Sequence, residues 1–537
     1  MKSSNKIVLT ASTLVFGILL GVFLQPLISG NSVYDQSKKF ADVLNLIQAN
    51  YFEPADLNKL GETAISKMLE ELDPHSRYIT AKSMEKVNED FQGSFDGIGV
   101  EFDIVKDTIT IVTPIVGGPS EALGVQSGDK IVKIDGTSAI GLTREDVPKK
   151  LRGPKGTQVT ISVLRSGNKE AIDFVITRDK IPLYSIDASF IIEGTDIGYI
   201  KMNRFAATTH DEFKAAANKL RSMGMKKMIL DLQQNPGGFL DQAFKLADEF
   251  IPAGKMIVYT KGKRPEFDDD FTAIPGVGEY EKIPLIVLID GGSASASEIV
   301  AGAIQDHDRG MIVGETSFGK GLVQRQYPLA DGSAFRLTIS RYYTPTGRLI
   351  QRPYDDKKNY RGSLEDLEEG LNLDHTKDAD KDKRDSARPT FKTSGGRTLY
   401  GGGGITPDYI VKYDTLTMLT RNLRAKNLFW EFSQEFLQKN QSTIKSKYKD
   451  AADFARSFTL SKKDLEDFKA LAAKKEIKWE EKDAKTDDET ILTLLRMTIG
   501  KFTFGNEASE RVFFTLNKKA RVAATLFPEA QKISKLK

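Results

Sequence analysis

Residues 284–298 read Pro-Leu-Ile-Val-Leu-Ile-Asp-Gly-Gly-Ser-Ala-Ser-Ala-Ser-Glu, and this stretch decides the fold. A short, continuous apolar run over 284–289 predicts a fully buried strand. Small residues then form a tight turn, and a helix is predicted from about Ala294 to Gln305. A buried strand followed by a turn and a helix is typical of an α/β core with parallel strands.

The same alternation recurs on both sides of this stretch. Strands are predicted at 197–200, 228–232 and 311–313, and helices at 209–223 and from Gly238 to Phe250. Strands that alternate with helices of this length indicate parallel βαβ units. We therefore expect an α/β core over residues 183–353.

Other periodicities predict further domains around that core. Apolar residues repeat at three- and four-residue steps near the start, so residues 31–92 are expected to be helical. Short β-runs with glycine punctuation predict a β-module over 93–182. In that module a helix is expected from Thr143, as N-cap, to Leu151. Residues 354–400 form a charged insertion, 401–415 lead back to the core, and 416–537 are predicted to be a helical domain with Lys-rich faces.

The N-terminus carries a targeting signal. Lys2 and Lys6 precede an uncharged apolar run from Ile7 to Leu24, which Gln25 to Ile28 extends towards the length of a bilayer span. Residues 1–30 are therefore either an uncleaved membrane anchor or a signal peptide. The absence of an Ala-x-Ala site favours the anchor. In either case the remainder of the chain is expected to be exported, on the periplasmic side of the membrane or in the periplasm.

The composition excludes several functional classes. The 537 residues contain no cysteine, which excludes disulfides, thiolate metal sites and a cysteine nucleophile. Only four histidines are present, so a histidine-rich metal site is not expected. A net charge of +3 from 77 basic and 74 acidic residues provides no global basic field for nucleic acid. We expect neither a metal nor an organic cofactor.

The Ser-Ala-Ser-Ala-Ser segment suits a nucleophile. A serine at the N-terminus of a helix lies beside free N–H groups, which favour developing negative charge. The same residues could instead only cap the helix and allow close packing. A nucleophilic serine also needs a base, and His307 lies about 18 Å along the helix axis from Ser295. A lysine can replace histidine when an apolar pocket keeps it neutral, and Lys320 in Phe-Gly-Lys-Gly (318–321) follows a predicted strand.

Two further loops have more than one interpretation. The Phe-Gly-Lys-Gly turn alone could contact a phosphate, but its spacing does not match a P-loop. The segment Asn235-Pro236-Gly237-Gly238 follows the strand that ends near Leu232. Its glycines would allow N–H donors to approach a tetrahedral oxyanion, although a plain strand-to-helix turn has the same composition.

Taken together, these motifs resemble those of the C-terminal (tail-specific) processing peptidases of the S41 serine protease family. The resemblance covers about residues 35–415. Leu72 to Ser76 resembles a signature that precedes the domain, 235–238 the oxyanion strand, 293–298 the nucleophile motif and 318–321 the general-base motif. Gln233 departs from the family, which commonly has arginine there, and Ser317 stands after Thr316 where Pro-Thr is commoner.

The resemblance implies roles for individual residues. Ser295 would be the nucleophile, Lys320 the general base and Gln324 the residue that orients the lysine. The oxyanion hole would be formed by the N–H groups of Ala296 and of Gly237 or Gly238. The core is expected to have a crotonase/ClpP-like fold, which makes the chain a multidomain α/β protein with a β-module and a C-terminal α-helical domain.

The β-module resembles a PDZ domain. Gly97-Ile98-Gly99-Val100 is similar to the carboxylate-binding loop, in which successive N–H groups hold a peptide C-terminus. The strand from Val100 to Ile104 would pair with the peptide by β-addition. This resemblance implies protein or peptide substrates with free C-termini as partners.

The sequence therefore predicts a serine endopeptidase with a Ser–Lys dyad that recognises the C-termini of exported proteins. The membrane would be contacted through residues 7–28, and the C-terminal helical domain could hold a regulatory or oligomeric partner. An alternative is an inactive, membrane-tethered PDZ adaptor, and a third interpretation is an acyl-CoA enzyme on a related fold. The Ser295, Lys320 and Gln324 set argues against the adaptor, and the lack of a placed carboxylate pair argues against the acyl-CoA enzyme.

Overall fold

The computed structural model describes residues 32–165, 167–356, 359–360, 388–412 and 416–536. The chain divides into two compact units, one that ends at Leu72 and one that begins at Asp73. The predicted targeting segment 1–30 and most of the predicted charged insertion lie outside the described residues. Within the described ranges, none of the helices combines the length and hydropathy that a membrane crossing requires.

In the described part of the first unit, residues 32–72, the chain forms two helices. They are α1 (Val33–Asn50) and α2 (Leu57–Glu70). Each begins at a side-chain cap, because Ser32 Oγ accepts from the Asp35 N–H and Asp56 Oδ1 accepts from the Lys59 N–H. The apolar side chains that set the period of α1 remain largely exposed.

The β-module forms the start of the second unit, after β1 (Arg77–Ile79) and α3 (Ala81–Gln92). Its elements are β2 (Ser94–Gly97), β3 (Val100–Val105), β4 (Thr108–Pro114), α4 (Pro119–Ala122), β5 (Lys130–Ile134), β6 (Thr137–Ser138), α5 (Asp146–Leu151), β7 (Gln158–Leu164), β8 (Ile172–Thr177) and β9 (Asp179–Pro182). The antiparallel sheet has the order β3-β4-β5-β7-β8, and β2 pairs with β9. The strand β3 therefore forms an edge of its sheet.

One helix of the β-module begins later than predicted. We expected it to follow Thr143, but α5 begins at Asp146. The later start places Pro148 in the first turn of α5, where its missing N–H costs no intrahelical hydrogen bond. Thr143 still contacts the helix, because its hydroxyl donates to Asp146 Oδ2 at 2.5 Å.

In the described residues, the α/β core contains a larger sheet, a smaller sheet and a two-stranded hairpin. Its elements are β10 (Ile186–Ile191), β11 (Ile197–Met202), α6 (Thr209–Ser222), β12 (Lys227–Asp231), α7 (Leu240–Asp248), β13 (Met256–Gly262), a 3₁₀ turn (Pro265–Phe267), β14 (Asp270–Thr272), β15 (Leu285–Ile289), α8 (Ala296–Asp306), β16 (Met311–Gly314), β17 (Leu322–Pro328), β18 (Ala334–Tyr343), β19 (Thr390–Lys392), β20 (Thr398–Tyr400) and β21 (Tyr409–Ile410). The larger sheet has the order β10-β11-β12-β15-β16-β21, and from β11 onward neighbouring strands are parallel. The smaller sheet has the order β1-β18-β13-β14, with β17 paired to β18.

The last residues of the predicted charged insertion pack against the core. Residues 390–400 form the β19–β20 hairpin. Arg397 of this hairpin forms ion pairs with Asp308 at 2.6 Å and with Asp408 at 2.5 Å. The end of the charged insertion is therefore attached to the core by ion pairs.

The C-terminal helical region, residues 416–536, contains α9 (Met418–Ala425), α10 (Leu428–Lys447), α11 (Ala451–Ser457), α12 (Lys462–Lys474), α13 (Glu481–Thr486), α14 (Asp488–Phe504), α15 (Asn506–Leu516), α16 (Lys518–Thr525) and α17 (Phe527–Ser534). Val112 of the β-module is buried among its aromatic residues, including Phe454 and Phe502. Ala520 and Ala523 of α16 pack on the larger sheet of the core.

The larger sheet is covered on both faces, as a parallel sheet requires. Leu230 and Val287 point to the face that is covered by the helices of the core itself. Their neighbours Ile229 and Ile286 point to the opposite face, which α16 and α17 cover. The C-terminal helical region thus completes the hydrophobic core of the α/β domain.

Candidate active site

Three predicted motifs meet at one edge of the larger sheet. The strands β12, β15 and β16 are adjacent and parallel, so their carboxyl ends lie side by side. The loop at 232–239 follows β12, the loop at 290–295 follows β15, and the loop at 315–321 follows β16. Carboxyl ends of parallel strands are where ligands bind in open α/β sheets.

Ser295 occupies a strained position at the start of α8. Its φ of +53° and ψ of −112° lie outside the regions that a serine normally adopts. Such strain costs on the order of 1–3 kcal/mol and persists only where the surroundings impose it. The helix that follows is buried along its whole length, so its N-terminal N–H groups are directed at the serine in a largely dry environment.

The glycine loop at 232–239 packs directly against the serine loop. The Asn235 carbonyl accepts from the Ala294 N–H at 3.0 Å and from the Ser297 hydroxyl at 2.9 Å. A Cβ on Gly237 would lie 2.7 Å from the Ala294 carbonyl oxygen and 2.9 Å from Ser295 Cβ. Glycine is therefore required at 237 for the two loops to approach.

The predicted oxyanion donors differ in their availability. The Gly237 N–H donates to Asn235 Oδ1 at 3.0 Å and is already engaged. For the N–H groups of Gly238 and Ala296, no acceptor lies in the part of the chain that the structure describes. Gly238 is fixed against Phe205, whose carbonyl oxygen would lie 2.0 Å from a Cβ at this position. Gly238 and Ala296 therefore remain as the candidate pair of donors.

A buried carboxylate joins the serine loop to the lysine loop. Glu298, which is 1% exposed, accepts from the Ser295 N–H at 2.8 Å and from the Lys320 N–H at 2.9 Å, both on Oε2. Its Oε1 accepts from the Ser317 hydroxyl at 2.5 Å and the Gly319 N–H at 2.7 Å. Burial raises the pKa of Glu298 to about 7, although the four hydrogen bonds oppose this shift.

A tyrosine provides a second connection between the same loops. The Tyr342 hydroxyl lies 2.5 Å from the Lys320 carbonyl oxygen and 3.2 Å from the Ser295 carbonyl oxygen. Burial raises the pKa of Tyr342 well above its ordinary value, and the Glu298 carboxylate adds to the shift. The hydroxyl therefore remains a proton donor throughout the physiological range.

Gln324 lies on β17, four residues beyond Lys320. Its amide donates to Thr338 Oγ1 at 3.4 Å, and Thr338 in turn donates to Asp73 Oδ1 at 3.1 Å. The signature at 72–76, from Asp73 onward, is thus linked to the strand on which Gln324 lies. That Gln324 orients Lys320 stays a prediction.

The described histidines have partners away from Ser295. His75 is buried, and its Nε2 lies 2.8 Å from the Tyr360 hydroxyl. Burial lowers the pKa of His75 to about 2, so this ring is neutral. His210 contacts Glu249, and His307 contacts the Met256 carbonyl. Among the described residues, no cluster of three or more His, Asp or Glu side chains could hold a metal ion.

Gln233, which stands where the family commonly has arginine, belongs to a buried polar cluster. Its side chain donates to Asp231 Oδ2 at 2.8 Å. Lys201 provides the positive charge at Asp231, with Nζ 3.1 Å from Oδ1. A lysine of the neighbouring β11 therefore supplies the positive charge at the end of this strand.

The predicted peptide loop of the β-module precedes the edge strand β3. Ile98 is buried, and its carbonyl accepts from the Ser120 hydroxyl at 2.5 Å. Gly99 has a φ of +72°, and a Cβ there would contact Ile181 at 3.0 Å. The loop from Gly97 to Val100 is therefore held in a conformation that requires glycine at 99.

Sequence reasoning did not assign roles to Glu298 or Tyr342. The Ser-x-x-Glu spacing of 295–298 is a capping-box pattern, so it could have indicated the contact between Glu298 and the Ser295 N–H. No feature of the sequence indicated the contacts of Glu298 with the loop at 317–320. Tyr342 lies near the end of β18, and no feature of the sequence indicated its contacts either.

Comparisons with known proteins assign three parts of the chain to families. Residues 196–355 match the sequence profile of peptidase family S41, and residues 110–165 match that of the PDZ domain. Residues 419–505 match a family of unknown function. The α/β core, the PDZ domain and the C-terminal helical region predicted from the sequence are thus confirmed as the fold.

Relatives that align with about two thirds of this chain belong to the same family. A carboxy-terminal-processing protease from Bartonella bacilliformis is 39% identical over 353 residues, which cover 65% of this chain and 80% of the relative. A probable CtpA-like serine protease from Staphylococcus aureus is 36% identical over 345 residues, or 64% of this chain and 68% of the relative. Among solved structures, the photosystem II D1 C-terminal processing protease is 29% identical, with a TM-score of 0.34 over 60% of this chain and 84% of that chain. The chain therefore belongs to the carboxy-terminal-processing proteases, which are serine endopeptidases of peptidase family S41.

Proposed function

We propose that the chain cleaves exported proteins with a Ser295–Lys320 dyad after its PDZ domain has captured their free C-termini. The observation that carries the proposal is the Glu298 carboxylate. One oxygen of this carboxylate accepts from the backbone N–H groups of both Ser295 and Lys320. A single buried group thus joins the backbone of the proposed nucleophile to the backbone of the proposed base.

The chemistry follows from these positions. Neutral Lys320 accepts the proton of the Ser295 hydroxyl as Oγ attacks the substrate carbonyl. The N–H groups of Gly238 and Ala296 hold the oxyanion, and each donor of this kind contributes about 3–4 kcal/mol. Lys320 then gives the proton to the leaving amine. Water hydrolyses the acyl ester on Ser295, with Lys320 again as the base.

Substrate capture rests on the edge strand of the PDZ domain. An extended peptide can add to an exposed strand edge, and the backbone supplies the hydrogen bonds. The strand β3 lies at such an edge, directly after the loop at Gly97 to Val100. The export of the protein and the membrane contact of residues 7–28 remain part of this proposal and rest on the sequence of the N-terminus.

The test measures cleavage of an unfolded protein with an apolar free C-terminus. The full chain is compared with its Ser295→Ala and Lys320→Ala variants, and Ser446→Ala and Lys445→Ala serve as controls at exposed positions. We expect both site variants to lose cleavage and both controls to retain it. Near-normal cleavage by either site variant would refute the dyad.

Capture is tested with the same substrate bearing an amidated C-terminus. Amidation removes the carboxylate that the PDZ loop would hold, so KM should rise while kcat changes little. An unchanged KM would refute C-terminal recognition and leave the dyad standing. Binding of the free C-terminus without cleavage by the unaltered chain would instead identify a PDZ adaptor.

A further inference from the structure

Carboxylates cluster at the strand ends that carry the candidate active site. Asp231 ends β12, Asp290 directly follows β15, and Glu315 directly follows β16. Asp231 and Asp290 are fully buried. Acidic groups gathered at neighbouring buried positions require cations, because an uncompensated buried charge is strongly destabilising.

The C-terminal helical region supplies one of these cations. Lys519, in the first turn of α16, is 1% exposed, and its Nζ lies 2.8 Å from Glu315 Oε2. Burial opposes the ionisation of Asp290, but the charge of Lys519 and the hydrogen bonds from Gln234 outweigh it and lower the pKa of Asp290. Lys201 supplies the other cation, at Asp231.

The position of Lys519 is fixed by its helix. Asn517 caps α16, with its Oδ1 accepting from the Ala520 N–H at 3.1 Å. Ala520 and Ala523 lie against the sheet, and their small side chains allow α16 to approach it closely. A cation in the first turn opposes the helix dipole, so this placement is unfavourable for the helix taken alone. The favourable interaction is with the strand ends.

The ionised form of Asp290 organises two active-site loops. Its Oδ1 accepts from the N–H groups of Gln234 and Gly292, each at 2.9 Å. Its Oδ2 accepts from the Gln234 side-chain amide at 2.8 Å. A neutral carboxyl would accept these three hydrogen bonds less strongly than the carboxylate does. The loop with the candidate oxyanion donors and the loop with Ser295 therefore share an anchor that needs a nearby cation.

We propose that Lys519 is a positioning residue of the active site, whose ammonium group pairs with Glu315 and compensates the charge of Asp290, and so fixes the loops that carry Ser295 and Lys320. The proposal rests on the proposed function, because it takes Ser295 and Lys320 as the reacting pair. It makes the C-terminal helical region part of the catalytic unit, although no reacting atom lies in it.

The test compares Lys519→Met, which removes the charge, with Lys519→Arg, which retains it. Lys518→Met is the matched control, since Lys518 precedes it in α16 and is exposed. A serine-directed fluorophosphonate counts folded sites by its final extent of labelling and reports serine activation by its rate. Turnover is expressed per titrated serine, so that a loss of folded protein alone does not change it.

For Lys519→Met we expect both turnover per titrated serine and labelling rate to fall roughly 10- to 100-fold, the scale of a loop displacement near 1 Å, with KM within about twofold. Lys519→Arg should recover most of this loss, and Lys518→Met should match the unaltered chain. Unchanged turnover per titrated serine in Lys519→Met would overturn the proposal. Equal losses in Lys519→Met and Lys519→Arg would also overturn it, because packing rather than charge would then be responsible.

If Lys519→Met does not fold, the test uses the double variant Glu315→Gln/Lys519→Met. This variant removes both charges of the ion pair, so no unpaired charge is left at this position. It is compared with Glu315→Gln alone, from which it differs only at Lys519. Lower turnover per titrated serine in the double variant would support the proposal, and equal turnover would overturn it. Residual cleavage by Ser295→Ala would instead refute the proposed function, whichever result Lys519 gives.

Discussion

Replacement of Glu298 by glutamine tests the connection between the serine and lysine loops. The carboxylate accepts four hydrogen bonds, two on each oxygen. An amide can present only one oxygen, so in either orientation two donors face an NH₂ group. Each lost hydrogen bond to a charged acceptor costs about 1.5–3 kcal/mol, which gives about 3–6 kcal/mol for the pair.

This cost is divided between stability and catalysis. If half of it appears as lost positioning in the transition state, kcat falls roughly 10- to 100-fold. The assay is turnover per folded molecule in Glu298→Gln, with the folded fraction taken from near-ultraviolet circular dichroism. Glu249→Gln is the matched control, because Glu249 is equally buried but accepts from His210 and Glu279 instead. A lowered Tm with kcat within twofold of the unaltered chain would show that Glu298 stabilises the fold but does not position the serine and lysine loops for catalysis.

The pH dependence provides a second check on Glu298. Its pKa of about 7 means that the carboxyl becomes protonated as the pH falls below neutrality. A protonated carboxyl loses an acceptor position much as glutamine does. The turnover of the unaltered chain should therefore decline towards that of Glu298→Gln below pH 7, and the variant's own profile should be flatter in this range. Parallel profiles would contradict this.

Three other predictions concern single side chains. Tyr342→Phe removes the hydroxyl shared by the two loops and should lower kcat about 3- to 10-fold, the value of one hydrogen bond, with little change in Tm. Gly238→Ala places a Cβ 2.0 Å from the Phe205 carbonyl oxygen, so the soluble folded fraction should collapse, and a normal Tm would contradict the geometry. His75, with a pKa lowered to about 2 by burial, binds a proton more readily in the unfolded chain, so folding stability falls below pH 6.5. Between pH 7.5 and 5.5, urea titration should show a loss about 1.4 kcal/mol larger in the unaltered chain than in His75→Gln, and equal losses would contradict this.

The elements that sequence reasoning predicted best were those with a strong local signal. The run at 284–289 is apolar at every position, and β15 is buried at every position because both faces of the sheet are covered. The glycines at 237 and 238 were predicted to let the backbone approach an oxyanion, which stays a prediction, and the structure shows that they also allow close packing against Ala294 and Phe205. The predicted start of the helix at Thr143 was wrong, because a proline can lie only in the first turn and Pro148 therefore delays the helix.

The remaining features depend on contacts between distant parts of the chain. Glu298 meets the loop at 317–320 only after β16 has been placed beside β15. Lys519 lies in a Lys-rich tail and would be read as solvated, because its partner Glu315 is about two hundred residues away along the chain. A charged residue reveals its burial only through the tertiary structure, so sequence patterns favour the exposed interpretation.

The packing of Val112 has a consequence for the products. This side chain of β4 is buried among aromatic residues of the C-terminal helical region, and Lys501 of that region forms an ion pair with Glu101 of β3 at 2.8 Å. The same region covers the larger sheet below the active site. The C-terminal helical region thus contacts both the PDZ domain and the core. A substrate C-terminus bound at β3 would therefore lie at a fixed distance from Ser295. Under the proposed function, this distance would set the length of the C-terminal fragments, and the enzyme would release fragments of a narrow range of lengths.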